Sequence, residues 1–344
     1  MHILIRADAT ALMGTGHVMR CLALAQANQD AGGKTTFVSH LDLPLPLKSR
    51  LAEEGFECSL ISAEPGSQAD ASLTLNLAKE IRADWFVLDG YHFSSPYRNH
   101  LRSRAIPILL IDDNQEQDGA FADLILNQNI HASQLIYSDS IPQSQKLLGP
   151  KYALIRKEFL KLVSFPTYNS DVLPKILLMF GGSDPQNLTQ IFLQLLLKLD
   201  TLVQVNVVLG AGYAHIWPEH LFAGIQKERL VLHQNVNNIA SLMQSVQFAV
   251  TAAGSTCYEL AYLGIPAVVV VVAENQVNLA NGMSQAGIVK NLGWFEPDLL
   301  DIYKRNINEI LTDGDCLRSF SESGRKCVDG QGAKRVIEIM ETYK

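Results

Sequence analysis

The sequence predicts an α/β protein of two parallel-sheet domains, on three observations: a chain of 344 residues, a strand–turn–helix rhythm in each half, and one lapse of that rhythm near the middle. Single hydrophobic cores stop growing at roughly 250 to 300 residues, so this length favours two. Short apolar strands alternating with amphipathic stretches are the pattern of a parallel sheet covered by helices on both faces.

In the first half the apolar, β-branched runs lie at residues 3–5, 35–38, 58–61, 85–88 and 108–111, each followed by a turn and a helical stretch. Around residues 163–174 (VSFPTYNSDVLP) the periodicity lapses while Pro, Ser, Asn and Asp accumulate, which are linker signals. The rhythm restarts at residues 175–180, 205–209, 230–232, 248–251 and 267–272. We therefore expect an N-terminal domain over residues 1–163 and a C-terminal domain over residues 175–344. A last amphipathic segment, residues 333–343, follows the breaker Asp329-Gly330-Gln331-Gly332.

Composition narrows the partners. A net charge of −7 and a pI near 5.7 oppose binding to a nucleic-acid backbone, which requires a basic face. An anionic ligand must then be held by local devices. Cys21, Cys58, Cys257, Cys316 and Cys327 are odd in number and form no CxxC pair, so neither a disulfide framework nor a zinc site is indicated. Free thiols fit a cytoplasmic location. Arg6 and Asp8 interrupt the opening apolar run before a signal sequence develops, and the apolar stretch 265–273 is too short to span a bilayer as a helix. No membrane insertion is expected, and a monomer is.

Open parallel sheets bind ligands at the carboxyl ends of their strands, which makes the residues just after each strand the candidates. The first strand ends at Ala7-Asp8, and Gly14-Thr15-Gly16-His17 opens the next helix, whose apolar face is Val18, Cys21, Leu22 and Ala25. Glycines at a helix start let a ligand approach unpaired N–H groups. A full dinucleotide fingerprint would place glycine where Met19 stands. The positive end of the helix dipole favours the neutral imidazole that a general base requires, so His17 is the candidate base. Asp8 either orients His17 or holds a substrate hydroxyl.

Asp89-Gly90-Tyr91 and Asp112-Asp113-Asn114 end the next strands; Tyr91 offers a hydroxyl to a sugar, and the aspartate pair reads as turn chemistry rather than a metal site. In the second half Gly181-Gly182-Ser183-Asp184 forms a tight loop after a strand. The segment AAGSTCYELAYLGIP carries Gly254 for a turn, Ser255 and Thr256 to cap the helix and meet phosphate, and Glu259 one turn on to take ribose hydroxyls. Asn275 and Gln276 are amides suited to a sugar with N-acetyl groups. HExxH, Walker and GxSxG motifs are absent.

The GTGH loop, the divided chain and the AGSTCYEL segment resemble the GT-B glycosyltransferase fold of MurG-type enzymes. That implies two Rossmann-like parallel-sheet domains facing a central cleft, with the last helix crossing back to the N-terminal domain. More narrowly, IRADAT, GTGHVMRC, VLDGY, FGGSDP, AGSTCYEL, AENQ and DGQGAKRV resemble the PseG family, from the first strand to the last helix. The resemblance implies a metal- and cofactor-independent, inverting hydrolase of UDP-2,4-diacetamido-2,4,6-trideoxy-β-L-altropyranose in pseudaminic acid biosynthesis. It implies His17 as catalytic base, with Tyr91 and Asn275 near the reacting sugar; Asp8, Gly14, Gly16 and Gln276 are substrate-binding candidates on the residues themselves. Gly181, Gly182, Val236, Gly254, Ser255, Thr256 and Glu259 would meet the nucleotide. The rival readings are a UDP-sugar-dependent transferase of the same fold and a non-catalytic nucleotide-sugar-binding subunit.

Overall fold

The computed structural model describes residues 1–10, 14–102, 106–113, 120–135, 137, 144–162, 173–210, 212–217, 228–234, 236 and 238–343. Asn114 and most of the expected linker, residues 163–172, lie outside them.

One sheet consists of β1 (His2–Ala7), β2 (Lys34–His40), β3 (Glu57–Ile61), β4 (Trp85–Asp89), β5 (Ile108–Ile111), β6 (Leu124–Asn127) and β7 (Gln145–Leu148). Its order is β3-β2-β1-β4-β5-β6-β7, with every pairing parallel. Helices on both faces bury both sides of the strands, which is why the central ones are continuously apolar. Ile3, Ile5, Val87 and Leu109 face Val18, Leu22 and Ala25 of the helix Gly16–Asp30. The alternate residues Leu4, Phe86, Leu88 and Leu110 pack with Ala71, Leu75 and Ala78 of the helix Gln68–Ile81.

The second sheet consists of β8 (Lys175–Met179), β9 (Gln204–Leu209), β10 (Leu230–Gln234), β11 (Phe248–Ala252), β12 (Ala267–Val271) and β13 (Val289–Trp294), in the order β10-β9-β8-β11-β12-β13. All of its pairings are parallel as well. The strands β6, β7 and β13 extend the two sheets beyond the ten runs anticipated from periodicity.

The chain divides into two compact units, Met1–Lys157 with Gly330–Lys344, and Glu158–Asp329. The last helix, Gly332–Thr342, belongs to the first unit, so the second unit ends at Asp329 and not at residue 344. Its apolar face, Ala333, Val336, Ile337 and Met340, joins the core beneath β1 and β4. The Trp85 indole N–H donates to the Met340 carbonyl at 3.2 Å, and the Tyr343 ring meets Trp85 edge-on at 5.3 Å.

Each sheet reverses its strand order once, between β1 and β4 and between β8 and β11. At such switch points the loops leaving the strands diverge to opposite faces and open a crevice at the carboxyl edge. His17 and Tyr91 follow the first pair; the Gly181-Gly182 and Gly254–Thr256 loops follow the second.

Candidate active site

β1 delivers the chain to Asp8, and the loop closes where the Gly14 N–H donates to the Thr10 carbonyl at 2.8 Å, with Gly14 at φ +80°. That left-handed turn suits glycine and lets the helix begin at Gly16, so His17 lies in its first turn. β4 pairs directly with β1, Ala7 opposite Asp89, and this register brings the Asp89 carboxylate to His17. His17 Nδ1 stands 3.5 Å from Asp89 Oδ1, with Asp89 fully buried and His17 mostly so. At that distance the pair is an ion-pair contact and not a hydrogen bond. The Tyr91 ring meets the His17 ring edge-on, centroids 5.2 Å apart.

Behind this pair lies a buried guanidinium that sequence reasoning passed over. Arg20, one helical turn beyond His17, donates from Nε to Asp89 Oδ2 at 2.7 Å and from Nη2 to Asp89 Oδ1 at 2.6 Å. The same group donates from Nη1 to Asp113 Oδ1 at 2.6 Å and from Nη2 to Asp113 Oδ2 at 3.0 Å. Burial opposes the Asp113 charge, yet Arg20 beside it holds its pKa down to about 2. Asn129 adds a donor to Asp113 Oδ1 at 3.1 Å, and the Tyr91 hydroxyl donates to Asp113 Oδ2 at 3.3 Å. Asp113 is thus part of an ion pair.

Asp8 has other partners. Its Oδ1 accepts from Arg6 at 2.6 Å and from the His40 N–H at 2.7 Å, and its Oδ2 lies 3.0 Å from His92 Nε2. Against the effect of burial, these partners hold the carboxyl well below the usual carboxylate range. The carboxylate facing His17 is Asp89, and Asp8 belongs to a separate buried network with Arg6 and Asp70. Gly14 and Gly16 form the turn that presents His17, Gly16 being exposed.

In the second unit, β8 leads into Gly181 and Gly182, and the Gly182 carbonyl accepts from the Gly212 N–H at 2.8 Å. A Cβ on Gly210 would lie 2.3 Å from that carbonyl oxygen, so the loop after β9 presses directly on this turn. Asp184 is a helix cap: its carboxylate accepts from the N–H groups of Leu188 and Thr189, each at 2.8 Å. β11 ends in Gly254 and exposed Ser255, followed by the helix Thr256–Leu263. The Ser255 side chain makes no cap bond to the helix, while the N–H groups of Cys257 and Tyr258 donate to the carbonyls of Gly254 at 2.9 Å and Ser255 at 3.0 Å. Half-buried Glu259 lies in the first turn. Burial pushes the Cys257 thiol up to about 12, which makes it a packing residue.

After β12, Asn275 is exposed, whereas the Gln276 side-chain oxygen accepts from the Val272 N–H at 3.0 Å and shapes its own loop. Val236 sits half-buried just past β10. Among the described residues no group of three or more His, Cys, Asp or Glu is arranged to hold a metal ion, and no helix is long and apolar enough to cross a membrane.

Residues 176–295 match the model of the glycosyltransferase family 28 C-terminal domain. The chain is 29% identical to an uncharacterized protein of Methanocaldococcus jannaschii over 78% of this chain, which spans 55% of that protein. It is 25% identical to the spore coat polysaccharide biosynthesis protein SpsG of Bacillus subtilis, over 99% of this chain and 98% of the relative. The UDP-2,4-diacetamido-2,4,6-trideoxy-beta-L-altropyranose hydrolase of Campylobacter jejuni is 25% identical over 83% of this chain and 97% of its own length. Among solved structures, MurG of Acinetobacter baumannii aligns over 99% of both chains with a TM-score of 0.66 and 16% identity. The glycosyltransferase VinC, solved with dTDP, aligns over 99% of this chain and 98% of its own with a TM-score of 0.66 and 11% identity. At these identities the structural likeness concerns architecture alone, and the architecture is plain: two Rossmann-like parallel-sheet domains of the GT-B glycosyltransferase kind.

Proposed function

We propose that the protein hydrolyses a UDP-sugar at its anomeric carbon with inversion, using His17 as general base, and that the sugar is 2,4-diacetamido-2,4,6-trideoxy-β-L-altropyranose. The observation that carries the reading is the His17–Asp89 pair at the switch point of the first sheet, in a chain similar over most of its length to the Campylobacter hydrolase.

With Nδ1 turned toward Asp89, Nε2 is the ring nitrogen left to accept a proton. Water attacks the anomeric carbon, its proton passes to His17 Nε2, and the bond from that carbon to the β-phosphate oxygen breaks on the opposite face. UDP leaves as an anion and the imidazolium returns its proton to solvent. A phosphate leaving group needs no carboxylic acid to protonate it, unlike the alkoxide of an ordinary glycoside. In this reading Gly181, Gly182, Gly254, Ser255 and Thr256 take the phosphates, Glu259 the ribose and Val236 the base. In the same reading the positive end of the helix Thr256–Leu263 meets the charge that develops on UDP. Tyr91 and Asn275 are each candidates to contact the sugar.

A transferase reading draws support from the family 28 match. The two separate when purified protein is incubated with the UDP-sugar and EDTA but no acceptor, and UDP and free sugar are followed by NMR. Release of both supports hydrolysis; turnover only after an acceptor hydroxyl is added makes the protein a transferase. His17→Leu should abolish release while leaving UDP affinity within a few-fold, and equal loss of both would sink the catalytic role.

A further inference from the structure

The network beneath His17 contains more than a base and its partner. We propose that Arg20 is a positioning residue: its guanidinium clamps Asp89 so that one oxygen faces His17 Nδ1, and clamps Asp113 so that it receives the Tyr91 hydroxyl, fixing both groups that flank the reacting centre. The inference rests on the reading of His17 as base.

The geometry is specific. One guanidinium spends Nε and Nη2 on the two oxygens of Asp89, and Nη1 and Nη2 on the two oxygens of Asp113. Two bidentate forks fix both carboxylate planes, which lysine, a point charge, cannot do. Asp89 Oδ1, held by Arg20 at 2.6 Å, is the oxygen that lies 3.5 Å from His17 Nδ1. Asp113 Oδ2, held at 3.0 Å, is the oxygen that accepts from Tyr91. Arg20 is one helical turn from His17, so the helix itself sets their spacing.

A buried triad of this kind is a poor route to stability, because desolvation of three charges cancels much of their attraction and apolar substitutes often serve as well. Its charge balance suits catalysis better. Arg20 carries +1 against −2 from Asp89 and Asp113, so negative charge is in excess where the cluster faces His17. In the reading of His17 as base, the proton it takes up during attack is placed against that excess. Among the described residues, other polar groups facing the cluster include the Cys21 thiol, which donates to Asp89 Oδ2, Asn129 on Asp113, Asn127 on the Asp113 carbonyl, and buried His131, whose charged form burial disfavours.

The test is the tautomer of His17, read by long-range 15N–1H correlation NMR at about pH 8, with His17→Gln assigning the ring signals. Arg20→Lys, Arg20→Met and the double variant Arg20→Met/Asp113→Asn, which keeps the local net charge, are compared with the unaltered chain. The clamp predicts a single Nδ1–H tautomer in the unaltered chain and its loss in both methionine variants. With it, kcat falls at least about 30-fold while KM stays within about threefold, and Arg20→Lys recovers part of the rate. If the single variant does not fold, the charge-balanced double variant carries the same expectation. An unchanged Nδ1–H tautomer in the methionine variants overturns the clamp whatever happens to kcat. A changed tautomer with undiminished turnover keeps the clamp and sinks the reading of His17 as base.

Discussion

Asp89→Asn isolates the electrostatic part of the account from its shape. The side chain keeps its volume at a fully buried position, but one oxygen becomes an NH2 group. Both carboxylate oxygens receive donors from Arg20, so the new NH2 must face a donor or turn toward His17. Either orientation removes one charge-assisted hydrogen bond, a cost of about 1.5 to 3 kcal/mol. It also removes the negative charge 3.5 Å from the imidazolium that forms as water is deprotonated. At an effective dielectric of about 20 that pair is worth up to about 5 kcal/mol. Arg20 already neutralises part of the Asp89 charge, so we expect a loss of about 2 to 4 kcal/mol in the transition state, roughly 30- to 1,000-fold in kcat. KM and UDP affinity should change by no more than a few-fold, because the residues proposed to contact the nucleotide belong to the other unit. UDP release in a coupled assay gives kcat, and circular dichroism gives the folded fraction at the assay temperature. A folded variant with kcat within about threefold of the unaltered chain would refute the role assigned to Asp89.

Gly210→Ala drives a Cβ to 2.3 Å from the Gly182 carbonyl oxygen and 2.5 Å from its Cα, so the Gly181-Gly182 turn must move. A stability loss of about 2 to 3 kcal/mol and roughly tenfold weaker UDP binding should appear in thermal melts and calorimetry; unchanged UDP affinity would remove this turn from the nucleotide site. Glu259→Ala should weaken UDP binding about tenfold with little effect on kcat at saturating substrate, and unchanged affinity in calorimetry would count against a ribose contact. Acid unfolding should carry the mark of Asp113, whose pKa falls from 3.8 unfolded to about 2 folded. A depressed carboxylate contributes its full stabilisation above the unfolded value and loses it as pH drops through the folded one, here about 2 kcal/mol between about pH 4 and pH 2. Denaturant melts of Asp113→Asn should show a shallower pH dependence over that window, and an identical dependence would contradict the ion pair.

Ten of the thirteen strands among the described residues were legible because interior strands of a helix-covered parallel sheet are short apolar runs ended by turn residues, as in WFVLD of β4 and AVVVV of β12. β7, QKLL, and β13, VKNLGW, lie at sheet edges, where fewer faces are buried and polar residues interrupt the run. β6, LILN, is interior and no shorter than β5, ILLI, so its apolar run was legible in principle and was passed over. The His17 turn was legible because the helix start is local. Its partnership with Asp89 was not, since it depends on β1 lying beside β4 across 72 residues of chain, a fact of strand order rather than of any motif. Arg20 was hidden among the apolar helix residues beside it. The signal that could have found it is a lone cation three residues after His17 on a buried helix, above strands that end in Asp89 and Asp112-Asp113.

The last helix shows the same limit from another side. Its amphipathic pattern marks a helix and says nothing of which unit it joins; the crossing back was an expectation from the family resemblance, and the helix packs on Trp85 and the first core.

The measurement that bears most directly on the central claim is turnover of the UDP-sugar in H2 18O without acceptor, with the released UDP examined by 31P NMR. Attack of water on the anomeric carbon leaves the β-phosphate with its original oxygens, so the account predicts UDP released with no isotope-shifted β-phosphorus signal. An 18O-shifted β-phosphorus would place the attack on phosphorus instead, and would contradict the role given to His17 at the sugar.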